Sequence, residues 1–200
     1  MTWSVLAIDQ SATSTGWAHL RQGQNTPTWG VYTLPSWKDR EGEMLWRWFT
    51  WLGHKVSDHD VTHLVLENTF IPAHDEDLSQ RIAQFGQLGM ADAVRYLCNT
   101  QKGMNIEFTV VSPSQWRAPF LGAAQAPKGL VKHQRRTWLK ERCVAECHKR
   151  GWLVEGNDSA DALGILAYAC SAIDPAFHVK QGPLFRQAEA RCENEERDLR

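Results

Sequence analysis

Two short apolar runs in this chain each end on a carboxylate. Val5-Leu6-Ala7-Ile8 leads into Asp9, and Leu64-Val65-Leu66 leads into Glu67. Runs this short and this continuously apolar read as strands buried on both faces of a sheet. A charge at the end of such a strand is desolvated, which is costly. A third site of the same kind stands late in the chain, where Asp158 and Asp161 open the Ala/Leu/Ile segment Ala160–Cys170. Three costly sites suggest a shared compensation, and a bound divalent cation is a common one.

The rest of the pattern supplies the frame. Residues 3–9, Gly16–Arg21 and Trp29–Leu34 read as three strands, the last two joined by the polar turn Gln22–Thr28, as in an antiparallel meander. Lys38–Val56 is a helix with Leu45, Trp48, Phe49 and Leu52 at helical spacing. Three of the ten Trp fall within it, Trp46, Trp48 and Trp51, which reads as a core helix. Thr62–Glu67 is a fourth strand, parallel to the first through a right-handed crossover. Asp77–Cys98 is a long helix with Ile82, Phe85, Leu88, Ala91 and Val94 on one stripe. Gly86 and Gly89 inside it each cost about 1 kcal/mol against Ala, which implies close approach of another backbone.

Glu107–Val111 is the fifth strand, and Ser112-Pro113-Ser114 starts a short helix through Trp116. A Gly/Ala/Pro loop, Phe120–Gly129, precedes a basic helix over Val131–Arg150. Asp158–Ala172 is a final, largely buried helix, in which Gly164 implies tight packing against the sheet. The order β-β-β-α-β-α-β-α-α predicts an α/β fold, a five-stranded mixed sheet flanked by helices. With the first strand central and the fourth beside it, Asp9 and Glu67 meet at their C-terminal ends.

Composition narrows the possible functions. No stretch approaches the roughly 20 apolar residues of a membrane span. Met1-Thr2-Trp3-Ser4 carries no basic region ahead of its apolar stretch, so no signal peptide is read and a cytoplasmic location is expected. The five cysteines form no CxxC pair and read as free thiols. Cys143 and Cys147, one helical turn apart, and His59 with His63 are weak metal signals. The net charge of -1 hides an asymmetry: the stretch from Arg117 to Arg150 holds nine Lys/Arg against Glu141 and Glu146, a local +7. A basic segment beside an acidic remainder suits a polyanion contacted on one face, although a solvated helix face gives the same charge count. The chain lacks a GxxxxGK[ST] phosphate loop and a G-x-S-x-G elbow.

Each acid alone has an ordinary explanation. Asp9 can cap the turn Ser11–Thr15, Glu67 can pair with a Lys or Arg, and Asn157 or Asp158 can be an N-cap. Jointly they are more specific. Asp158 and Asp161, three apart, share one side of a helix. Two strand-end acids facing two on a late helix, with a basic loop between, would form a Mg²⁺ cage with room for phosphate oxygens. Two metals roughly 4 Å apart can then clamp the attacking and leaving oxygens of an in-line displacement.

These residues resemble a family. Leu6-Ala7-Ile8-Asp9-Gln10-Ser11 with Thr15-Gly16-Trp17 is similar to the first-strand motif of RuvC-type Holliday junction resolvases, within the RNase H-like superfamily. Leu66-Glu67-Asn68-Thr69-Phe70 resembles the second acidic motif, and Gly86-Gln87 a Gly-Gln pair on the following helix. Ala126-Pro127-Lys128 resembles the segment that carries a basic residue near the scissile phosphate. Asp158-Ser159-Ala160-Asp161-Ala162-Leu163 matches the closing acidic motif.

The resemblance spans about residues 3–172. It implies an RNase H-like domain over 1–173 followed by a charged tail over 174–200. It further implies a homodimer that binds four-way and other branched DNA and nicks it with Mg²⁺ or Mn²⁺. Carried over by position, Asp9, Glu67, Asp158 and Asp161 are metal ligands and Lys128 contacts the scissile phosphate. Arg117 and Lys132 are further phosphate contacts, with Arg135 and Arg136 on the same basic stretch. Phe70 matches an aromatic that enters the junction centre. The chain departs at Gln10-Ser11, where Pro-Gly is usual, and at Asp158, where some members have His. In size it is similar to the compact, divergent members that phages encode.

Three other readings stay open on the residues alone. An actin-like ATPase also begins with a strand ending in Asp, but needs a second phosphate loop and leaves Asp158 and Asp161 unexplained. A non-catalytic junction-binding module would not need all four acids. Another RNase H-like nuclease, cutting RNA–DNA hybrids, would keep the same acids and differ in substrate.

Overall fold

The computed structural model describes residues 2–11, 14–34, 41–68, 89, 94, 96, 98 and 106–177. Five strands, β1 (Ser4–Gln10), β2 (Ser14–Arg21), β3 (Thr28–Thr33), β4 (His63–Glu67) and β5 (Glu107–Val111), form one sheet in the order β3-β2-β1-β4-β5. β1–β2 and β2–β3 are antiparallel, whereas β1–β4 and β4–β5 are parallel. Helix α1 (Glu41–Asp58) supplies the crossover from the meander to β4, and α2 (Pro113–Leu121), α3 (Lys132–Lys149) and α4 (Asn157–Ile173) follow β5. This is the mixed sheet expected, with β1 at its centre. Among the described residues, no helix is long and apolar enough to cross a membrane.

Strand alternation sorts the core into two layers, because successive side chains face opposite sides of a sheet. Leu6, Ile8, Leu64 and Leu66 point to one side and pack with Met44, Trp48, Leu52 and Val56 of α1. Val5, Ala7, Val65 and Val111 point to the other and pack with residues of α2, α3 and α4. Asp9 and Glu67 continue the second parity, so both carboxylates fall on the side that α4 covers. This helix buries Ala160, Ala162, Leu163, Ile165 and Leu166, which is why its apolar run is nearly unbroken.

Several expectations need adjusting. Of the Trp cluster, Trp48 is fully buried and Trp51 stacks on Tyr32 at 4.6 Å, but Trp46 is 68% exposed, because it lies on the outer side of α1. Helix α2 continues past Trp116 to Leu121, where Gly122 at φ 72° ends it. The extension is held by Phe120 and Leu121, both buried. Gly164 is tight, but against α2 instead of the sheet: a Cβ there would strike the Trp116 ring. Gly89 is exposed, and no described residue comes near the position of a Cβ there. Of the helix expected over Asp77–Cys98, Gly89, Val94, Tyr96 and Cys98 are helical. Ile82, Phe85, Gly86, Leu88 and Ala91 lie outside the described residues. Cys98, Cys143, Cys147 and Cys170 are buried free thiols, and Cys192 lies outside the described residues. Phe177, three residues beyond the expected start of the tail, is buried in the core.

Candidate metal centre

Asp9 sits near the end of β1, directly opposite Gly16 of β2. Gly16 is needed there. The carbonyl of Asp158 occupies the space a Cβ would fill, so any other residue would push the start of α4 away from the strand pair. With that contact made, the start of α4 lies over the end of β1, with Asp158 in its first turn and Asp161 following it. Asp158 is not the N-cap: Gly156 holds that position, and no side chain caps the helix. The Asp158 carboxylate instead accepts a hydrogen bond from the Ser14 hydroxyl, across from β2.

Glu67 ends β4, next to β1, and two groups of α2 converge on its Oε1. The Trp116 indole Nε1 donates to it at 2.7 Å. The Arg117 guanidinium lies 3.7 Å away, with Glu67 18% and Arg117 23% exposed. The Trp116 ring is itself wedged against Gly164 of α4, so one side chain ties the Glu67 strand to the helix of Asp158 and Asp161.

The carboxylates share one electrostatic environment. Burial pushes the Asp9 carboxyl well above the usual range, and the charges of Asp161, Glu67 and Asp158 push it further, against Arg117. Burial also raises Glu67, opposed by the Trp116 hydrogen bond and Arg117. Asp161 is raised by burial and by Asp158, while a hydrogen bond from the Cys143 thiol and the charges of Arg117 and Lys140 oppose the shift. Several acids thus face each other with too little positive charge between them. Hard oxygen donors in that state suit Mg²⁺ or Mn²⁺. Among the described residues, no three His, Cys, Asp or Glu side chains already close on a single point. The donor chemistry fits a divalent ion, and the ligands would have to draw together around it.

Arg117 apart, none of the other expected site residues that the structure describes is among the leading charges on this cluster. Lys128 is exposed in the loop between α2 and α3 and is not among the leading charges acting on Asp9, Glu67 or Asp161. Lys132, Arg135 and Arg136 line the exposed start of α3, and the Arg135 Nε donates to the Leu130 carbonyl at 2.6 Å. Elsewhere the basic stretch is spent locally: Arg142 donates to the Leu121 carbonyl, and Lys149 and Arg150 both pair with Glu146. Phe70 lies outside the described residues. His59 stacks on His19, and His63 neighbours Glu107.

No pattern in the sequence marks Ser14, Trp116 or Cys143 as neighbours of the acids. Ser14 meets Asp158 across 144 residues of chain, and Trp116 meets Glu67 across 49. The nearest thing to a signal is Gly16, a glycine soon after the first Asp, which anticipates a close approach.

A scan against protein-family models finds no match, and a search of curated proteins finds none either. Solved structures do match. The chain resembles RuvC of Thermus thermophilus at a TM-score of 0.58 and 18% identity, covering 85% of this chain and 95% of that one. It resembles T. thermophilus RuvC in complex with Holliday junction substrate at a TM-score of 0.55 and 16% identity, covering 82% and 90%. The order β3-β2-β1-β4-β5, the helices around it and this likeness agree: the chain carries the RuvC fold, an RNase H-like α/β architecture.

Proposed function

We propose that this protein is a divalent-metal-dependent endonuclease that hydrolyses phosphodiester bonds in four-way DNA junctions and other branched DNA. The observation that supports the reading is electrostatic: the charges of Asp161, Glu67 and Asp158 all raise the buried Asp9 carboxyl, with Arg117 opposing. Support for the substrate comes from the fold, since one similar structure is RuvC in complex with Holliday junction substrate.

In this reading the four carboxylates hold one or two Mg²⁺ or Mn²⁺ ions. Such ions supply Lewis acidity, activating water and stabilising the charge on the leaving oxygen. The protein supplies placement. Trp116 fixes the Glu67 carboxylate and Ser14 fixes Asp158, while the Cys143 thiol favours the charged form of Asp161. Lys128, Lys132, Arg135 and Arg136 offer exposed cations to the DNA backbone, with Lys128 nearest the scissile phosphate. Two copies of the chain would place two such centres on one junction and allow paired nicks, in the cytoplasm where the DNA substrate is found.

The test is a cleavage panel of junction, fork, flap, duplex and RNA–DNA hybrid with Mg²⁺ or Mn²⁺. Branched DNA should be cut and plain duplex spared. Asp9→Asn should lose roughly a hundredfold or more in rate while still binding DNA, because several kcal/mol of charge stabilisation would go. Preferred cutting of the hybrid, or full activity in Asp9→Asn, overturns the reading.

A further inference from the structure

Among the described residues, the cation that stands among the leading charges on all three raised carboxylates is Arg117. Its charge opposes the shifts of Asp9, Glu67 and Asp161, whereas Lys140 acts on Asp161. Yet its grip is loose. The closest approach to Glu67 Oε1 is 3.7 Å, beyond the 2.7–2.9 Å of a charge-assisted hydrogen bond. That oxygen already accepts from the Trp116 indole at 2.7 Å, so the guanidinium adds charge but no needed donor. It hovers instead near the Trp116 ring, 5.0 Å from its centroid. A side chain that neutralises a cluster from a distance and keeps 23% of its surface in solvent can leave without breaking a tight bond. An incoming divalent ion and this guanidinium would crowd the same oxygens with like charge.

We propose that Arg117 is a resident counter-cation of the carboxylate cluster, displaced when a divalent ion binds. The inference rests on the reading of that cluster as a metal centre, and it assigns Arg117 a task in the DNA-free protein besides the phosphate contact its position suggests. Its consequence is that Arg117 weakens metal binding before DNA arrives, so that an ion loads most readily when a phosphate is present to draw the guanidinium away.

The experiment is calorimetric titration of Mn²⁺ into the DNA-free full chain, for wild type, Arg117→Gln, Arg117→Lys and Asp9→Asn. Arg117→Gln should bind Mn²⁺ about tenfold more tightly, close to the scale of one unit charge a few ångströms away when screened as in bulk water. Arg117→Lys keeps the charge and should stay near wild type. Unchanged or weaker binding in Arg117→Gln overturns the proposal, as does equal tightening in Arg117→Lys. Asp9→Asn tests the underlying site separately: if it binds Mn²⁺ as wild type does, the centre itself is misassigned. Should Arg117→Gln not fold, the Arg117 Nε–H resonance of the wild-type protein decides, assigned by its loss in Arg117→Lys. Movement on adding Mg²⁺ supports displacement, and an unmoved resonance refutes it.

Discussion

Strand β1 carries a polar cluster at each end, and the two are built on opposite terms. At its start, the Ser4 hydroxyl donates to the His59 carbonyl at 2.9 Å and contacts His19 Nε2 at 2.9 Å. A hydroxyl has one proton, so His19 Nε2 must supply the other and act as donor. The His19 ring stacks on His59 at 4.1 Å, and the Arg21 guanidinium bonds the His59 carbonyl and Asp60. Burial, with the charges of His59, Arg21 and Lys55, lowers His19 to about 4, so it stays neutral near pH 7. Donors and acceptors match, and nothing further is needed. At the other end, Asp9 faces Asp161, Glu67 and Asp158, and only Arg117 stands among the leading influences as an opposing charge. Both clusters are buried and polar. One is complete in itself, while the other holds like charges together with Arg117 as the leading opposing charge.

The largest effect that would break this contrast lies at the complete end. Ser4→Ala strands the His19 N–H and leaves the His59 carbonyl to Arg21 alone, and should cost about 1–3 kcal/mol in urea unfolding. A loss near zero would show that this cluster is not self-sufficient. The second test has the opposite sign. In EDTA at pH 7, Asp9→Asn removes one of several repelling charges and should stabilise the protein by roughly 1 kcal/mol. Added Mg²⁺ should then raise the melting temperature of wild type and not of Asp9→Asn. Destabilisation of the metal-free protein by Asp9→Asn would mean that the acids are already balanced.

The smallest effect at neutral pH belongs to His19. Its folded value, about 4, lies below its ordinary value of 6.5, so the unfolded chain binds more protons between those limits. Its contribution to stability is therefore full above pH 6.5 and lost as pH falls from 6.5 toward 4. His19→Gln should unfold much as wild type does at pH 7.5 and show a shallower decline on acidification. An unchanged acid limb would remove His19 as the source.

Much of the fold was legible because it rests on local periodicity. The expected Glu107–Val111 strand matches β5 residue for residue, and the final helix differs by one residue at each end. The Trp cluster was less legible: helical spacing identifies the helix, but which of Trp46, Trp48 and Trp51 faces the sheet depends on how α1 rolls against Leu6 and Leu66. Gly164 shows the same limit. Its lack of a side chain signals a close neighbour without saying that the neighbour is Trp116. The acids as a group could be read from strand ends, yet no local pattern marks Arg117, read as a DNA contact, as a neighbour of Glu67.

The sequence by itself determined the order of the elements and the parity that turns Asp9 and Glu67 to one side of the sheet, since both follow from a two-residue repeat within single strands. Only the tertiary structure decided what acts on each carboxylate: Ser14 on Asp158, Trp116 and Arg117 on Glu67, Cys143 on Asp161. Those partners belong to elements far apart in the chain. Their positions are set by close packing, such as the Asp158 carbonyl against Gly16 and Trp116 against Gly164, which no local pattern encodes.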